Sequence, residues 1–210
     1  MPDHLAGHEQ VSVSPNNPCP FLRALVANGY VDGHIVPLSR LSETIGMASG
    51  KTGRQEKIAE MKTWLVAVLA NGHPVTSARS GAVLDELRNG PLDKHGAGSR
   101  ILGVDAHVHE DQIDRLASFG QDYPNSDGGT ERGLNAKQIK TYMADNLKRA
   151  GKEGSLSYRL MMAGEWPILL EMLGKGEGDA RYLSIADVRT LFVDRKLPKR
   201  ITDRLPPPSV

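Results

Sequence analysis

Apolar positions in this chain recur mostly at helical intervals. Phe21, Leu22, Leu25 and Val26 share one face and run into Asn28-Gly29, so the spacing predicts a helix that opens at Pro20 and stops before the glycine. Leu41 and Ile45 predict a second short helix, with Ser39 as its cap. From Arg54 to Ala70 the positions Ile58, Met61, Leu65, Val68 and Leu69 form a stripe, and Glu56, Glu60 and Lys62 lie on other faces. Asn71-Gly72-His73-Pro74 ends that helix, with His73 read as a solvated capping residue. A short helix is predicted through Val83, Leu84 and Leu87, and a longer one from Leu134 to Leu147 carrying Ile139, Tyr142 and Met143. Ser184 and Asp187 have the spacing of a capping box ahead of the stripe Ile185, Val188, Leu191 and Phe192. Only a few residues around Arg100 to Val108 alternate as a strand does. The pattern predicts a mainly α architecture.

The remaining stretches read as connections. Residues 1–16 are polar and rich in turn formers, which predicts a loose arm before a single domain over 17–200, with 201–210 as a tail. Gly46-Met47-Ala48-Ser49-Gly50-Lys51-Thr52 resembles a phosphate loop, but only three residues separate its glycines where four are needed, and no apolar strand precedes it. It is read as an interhelical loop. Asp122 to Gly129 is read as a surface loop, because its oxygen-bearing residues miss the positions of a calcium-binding EF-hand.

Composition narrows the function classes. A chain of 210 residues can bury a sizeable core as one domain. Its 26 basic and 25 acidic residues leave a net charge of +1, and no basic stripe with interleaved aromatics occurs. Nucleic acid is therefore not the expected partner. No apolar run reaches membrane-spanning length and the start Met1-Pro2-Asp3-His4 is polar, so no membrane partner is expected and no signal peptide is visible. The expected location is cytoplasmic, or secreted or periplasmic if a leader has been removed.

The single cysteine excludes an internal disulfide. Cys19 lies between Pro18, which holds the approach extended, and Pro20, which suits the first position of a helix. That places Cys19 at a helix N-cap with the N–H groups of Phe21 and Leu22 directed towards its sulfur, an environment that favours the thiolate. A thiolate is a nucleophile or a metal ligand; the alternative is a buried thiol that packs as a small hydrophobe. Asp105-Ala106-His107-Val108-His109 carries a His-x-His pair whose imidazoles share one face of a strand and could hold zinc. An amidohydrolase barrel around it would need more chain and further histidines, yet His109 is the last one.

Pro18-Cys19-Pro20-Phe21-Leu22-Arg23-Ala24-Leu25-Val26-Ala27-Asn28-Gly29-Tyr30 resembles the start of the haem-thiolate peroxidases, the fungal chloroperoxidases and unspecific peroxygenases, although it lacks their extra histidine before the glycine. Val108-His109-Glu110-Asp111-Gln112-Ile113-Asp114-Arg115 is similar to the distal motif of that family, with Phe119-Gly120 and Asp122 after it. Ala163 to Leu170, followed by Tyr182 to Pro198 with Arg195, Leu197 and Pro198, resembles the closing helix, with Lys196 inserted. The resemblance implies a single-domain, mainly helical chloroperoxidase-like fold around haem b. It implies Cys19 as the axial ligand of the haem iron and the N–H groups of Phe21 and Leu22 as hydrogen-bond donors to the sulfur. His109 is implied as the distal base on peroxide, with Glu110 orienting it or acting itself. Val108 and Gln112 stand where the family has two ligands of a divalent cation, so a separate Mg or Mn site is not expected. No residue is placed as the family's acid–base glutamate; Glu153, Glu165 and Glu171 are candidates by position only. The implied activity is a peroxidase or peroxygenase that uses hydrogen peroxide on a small organic substrate or a halide. The alternative is a haem-binding protein of the same fold that senses or stores haem with little catalysis.

Overall fold

Helix α1 spans Pro20–Ala27, as its spacing predicts. Pro20 is at the first helical position, where its fixed φ is already helical and no N–H is missed, and Cys19 is the N-cap with φ −82° and ψ 112°. The computed structural model describes residues 12–50, 81–89, 99–153 and 166–208. The predicted Arg54–Ala70 helix, His73 and Glu165 lie outside the described residues.

After α1 the chain forms a two-residue strand β1 (Ile35–Val36) and then α2 (Leu38–Ser49). The N-cap of α2 is Pro37, so Ser39 lies inside the helix and does not cap it. The glycine-bearing stretch expected to be a loop is helical up to Ser49, and Gly50, at φ 66°, ends the helix. Strand β2 (Ala82–Val83) pairs antiparallel with β1, Ile35 opposite Val83. Here the expected helix through Val83, Leu84 and Leu87 is corrected to a strand followed by a 3-10 turn at Leu87–Asn89.

Helix α3 (Glu110–Ser118) leads into β3 (Gln121–Pro124) and β4 (Thr130–Asn135). Helix α4 covers Ala136–Arg149, and Asn135 forms a capping box with Gln138, each side chain bonded to the other residue's backbone N–H. The predicted start at Leu134 is thus two residues early, because Leu134 belongs to β4. Residues 166–173 form α5; β5 (Tyr182–Ser184), α6 (Ile185–Phe192) and α7 (Lys199–Thr202) follow. Strands β3, β4 and β5 make an antiparallel sheet in that order, Gln121 opposite Gly133 and Gly133 opposite Ser184. Gly133 is required there, since a Cβ would lie 2.5 Å from the Tyr182 ring. Its absence lets Tyr123 and Tyr182 stack, rings 4.1 Å apart and tilted by 6°. Helices with two small antiparallel sheets replace the plainly mainly-α expectation.

One hydrophobic cluster joins these elements. Its centre is α6, against which α1, α3 and β4 pack. The predicted stripe Ile185, Val188, Leu191 and Phe192 is buried in full. Trp166 is completely buried, its ring edge-on to Tyr142 and stacked towards Phe192. Ile201 and Leu205 are buried as well, so the first half of the expected 201–210 tail belongs to the core. Among the described residues no helix is long and apolar enough to cross a membrane.

Candidate functional site

The approach to Cys19 is held by side chains reaching back to the backbone. Asn17 is 1% exposed, and its Oδ1 accepts the Cys19 N–H at 3.1 Å. Its Nδ2 is buried with no hydrogen-bond partner among the described residues. The Cys19 carbonyl accepts the Arg23 N–H at 3.0 Å and opens the helical ladder. The Cys19 side chain is half-buried at the N-cap, where no side-chain capping hydrogen bond is formed. Phe21 is buried and Leu22 half-buried against the core.

Arg23 is only 3% exposed although it lies on α1. Its Nη1 donates to the Ser14 carbonyl at 2.8 Å and to that of Asn17 at 3.2 Å, which folds the arm over the start of the helix. Burial, together with the nearby Arg195 and Arg88, pulls its pKa down to about 10, while Cys19 acts in the opposite direction. Arg23 remains charged at neutral pH and lies close enough to Cys19 to favour a thiolate. Arg195 has φ 52°, and its carbonyl accepts from Asn28 Nδ2 at 2.7 Å, which ties the end of α6 to the end of α1.

Arg88 connects this arm to the histidine segment. Its Nε donates to the Pro15 carbonyl at 3.1 Å and its Nη2 to the Gly103 carbonyl at 3.0 Å. Gly103 starts a tight hairpin closed by the bridge between Leu102 and Val108, which agrees with the strand-like alternation around Arg100 to Val108. The turn is held by Gly103 N–H to the His107 carbonyl (2.8 Å) and Ala106 N–H to the Gly103 carbonyl (3.0 Å), with Ala106 at φ 64°. The His107 and His109 rings meet edge-to-face with centroids 5.1 Å apart. Asp105 Oδ1 accepts the His107 N–H at 3.0 Å, and that bond, helped by the two imidazoles, keeps its carboxyl below the usual range.

His109 is the N-cap of α3 and is exposed, as is Glu110 after it. Glu110 Oε2 pairs with Arg189 Nη1 at 2.7 Å, and Asp114 Oδ1 with Arg189 Nη2 at 2.5 Å, so one arginine of α6 clasps the first turn of α3. Arg115 lies 5.3 Å from the centroids of both Phe119 and Tyr142, donates to Asn146 Oδ1 at 2.8 Å and pairs with Asp145. Of the glutamates named by position, Glu153 is exposed and Glu171 is half-buried in α5. Among the described residues no three His, Cys, Asp or Glu side chains are grouped to hold a metal ion.

A second polar constellation escaped the sequence reading. Glu131 accepts from Lys175 Nζ at 2.7 and 2.8 Å, from Tyr182 Oη at 2.8 Å and from Ser184 Oγ at 2.5 Å. Asp187 pairs with Arg200 at 2.7 Å. The Ser184–Asp187 capping box is consequently not formed: Ser184 is the N-cap by position, but its hydroxyl is taken by Glu131. Only the placement of Glu131 on the middle strand brings these residues together, and no local spacing signals it.

No family model, no curated protein and no solved structure matches this chain.

Proposed function

We propose that the protein is a haem-thiolate peroxidase or peroxygenase that binds haem b through Cys19 and acts with hydrogen peroxide on a small organic substrate. One observation carries this reading: the only cysteine is the N-cap of a proline-opened helix, half-buried and next to a charged arginine. A thiolate is favoured there by the helix end and by Arg23. The donor set fits a thiolate-ligated haem on this side. Cys19 would supply the anionic ligand, Arg23 with Arg88 and Arg195 near it could supply cations for the propionates, and the Asn17 Nδ2 donor has no partner among the described residues. When bound, such a haem activates hydrogen peroxide for oxidation of a second molecule.

This chain's own contribution is then binding, orientation and proton transfer. Asn17 fixes the backbone at Cys19, and Arg23 balances the thiolate charge. His109 is the group proposed to take a proton from peroxide, since it is exposed on the hairpin that Arg88 ties to the Cys19 arm. Glu110 is engaged in an ion pair with Arg189. That ion pair favours a second reading, a haem-binding protein of sensing or storage role with little turnover.

The ferric and the reduced, carbon-monoxide-bound absorption spectra test haem ligation: a thiolate moves the reduced band far to the red of an imidazole-ligated one, and Cys19→Ala abolishes that position. Peroxide-dependent oxidation of a phenolic dye then separates the two readings. Loss in His109→Ala and Glu110→Gln with unchanged spectra supports the enzyme; no turnover in the native haem-loaded protein supports the binding protein. A colourless protein from haem-supplied cells overturns both.

A further inference from the structure

The C-terminal ends of α2 and α5 open onto a cleft of about 690 Å³. The last carbonyls of a helix lack partners along the chain and attract cations. Here arginines supply them. Arg204 Nη1 donates to the Ala48 carbonyl of α2 at 3.2 Å. Arg181 donates through Nε to Leu170 at 3.1 Å and through Nη2 to Glu171 at 2.6 Å, and Arg200 donates to Leu173.

The four cations that line the cleft are not equivalent. Lys175 is neutralised by Glu131 and Arg200 by Asp187. Arg181 and Arg204 have no carboxylate partner among the described residues, and their bonds, two from Arg181 and one from Arg204, leave most of the five guanidinium N–H groups of each uncommitted there. Both guanidinium groups rest on glycine. A Cβ on Gly50 would lie 2.6 Å from Arg204 Nη1, and one on Gly174 would lie 2.6 Å from Arg181 Nε. Backbone without side chains thus seats two planar cations at the walls of one open space. Among the described residues Glu177 is the only acid lining that space, and it is exposed at its rim.

We propose that this cleft binds a phosphate group, free or carried by a small organic molecule. A guanidinium presents parallel N–H donors that match phosphate oxygens in pairs. The cleft volume is in the range that holds a small ligand rather than a lone ion. The assignment is independent of the role of Cys19, since none of that residue's neighbours lines the cleft.

Calorimetric titration of the full chain with inorganic phosphate and with phenyl phosphate, each at ionic strength fixed with sodium chloride, tests the proposal. Saturable binding is expected. It weakens about tenfold in Arg204→Gln, whose side chain gives up one hydrogen bond to the fold. Arg132→Gln, which removes a surface cation paired to Asp122, leaves it unchanged, and Glu177→Gln tightens it. Circular dichroism confirms that each variant is folded. Tighter binding of phenyl phosphate assigns an organic phosphate; equal or tighter binding of the inorganic ion assigns free phosphate. Binding no stronger than that of chloride, or equal in Arg204→Gln, overturns the proposal.

Discussion

A left-handed alanine in a two-histidine hairpin is a cost that the surrounding bonds must hold in place. Ala106 at φ 64° occupies the position after a tight turn where glycine is the favoured residue. Its Cβ there costs about 1 kcal/mol, and glycine returns part of that gain through a more flexible unfolded chain. Ala106→Gly is therefore expected to stabilise the fold by about 0.5 kcal/mol and to raise the thermal midpoint by about 1–2 °C, read by calorimetry. Glu131 is the opposite case. Burial alone would raise its pKa, but the bonds from Lys175, Ser184 and Tyr182 more than offset that and hold it below the usual carboxylate range. A carboxyl depressed in the folded state stabilises the fold above its unfolded pKa and loses that contribution as pH falls through the folded value. Glu131→Gln should cost about 2–3 kcal/mol at neutral pH. The gap between variant and native thermal midpoints should be constant above about pH 5 and close below about pH 4. Tyr182, pushed up to about 12 by burial and by Glu131, stays neutral through that whole range.

At the scale of elements, legibility followed length. The stripes of α1 and α6 span two full turns, and all but Leu22 of their predicted apolar positions are buried. α4 was readable too, except that its start lies at the Asn135–Gln138 capping box and not at Leu134. The strands were not readable: β1 and β2 have two residues each, and β4 reads Thr-Glu-Arg-Gly-Leu-Asn, where no alternation can show. Cys19 was legible because two prolines leave its backbone little choice. The gathering of Arg88 and Arg195 near Arg23 was not, since those residues meet only after the arm, the 3-10 turn and α6 are assembled. Arg88 is the joint among them. Arg88→Ala should remove two bonds worth about 1 kcal/mol each and speed amide exchange at the 102–108 hairpin, measured by mass spectrometry. Arg88→Lys should not restore protection, because one ammonium lacks the fork that reaches the carbonyls of Pro15 and Gly103 together.

For the whole molecule, the chain's end closes the structure that α1 begins. α7 packs on α2, Ile201 has no exposed surface and Leu205 has 9%. In sequence this segment looks like a tail, because two apolar residues four apart among Lys, Arg, Asp and Pro give too short a pattern to identify a helix. Once placed, the same two side chains join the common core, and Arg204 between them supplies α2 with a terminal donor. Burial of an aliphatic side chain in a tight core costs about 2–5 kcal/mol to undo, which is a large part of the stability of a domain of ordinary size. Ile201→Ala should fall in that range and Leu205→Ala near its lower end, while Pro206→Ala, at an exposed position, should leave stability unchanged. Urea unfolding monitored by tryptophan fluorescence reads the difference, since Trp166 is fully buried and reports on the core. Equal midpoints for Ile201→Ala and Pro206→Ala would show that the last helix rests on the core without closing it.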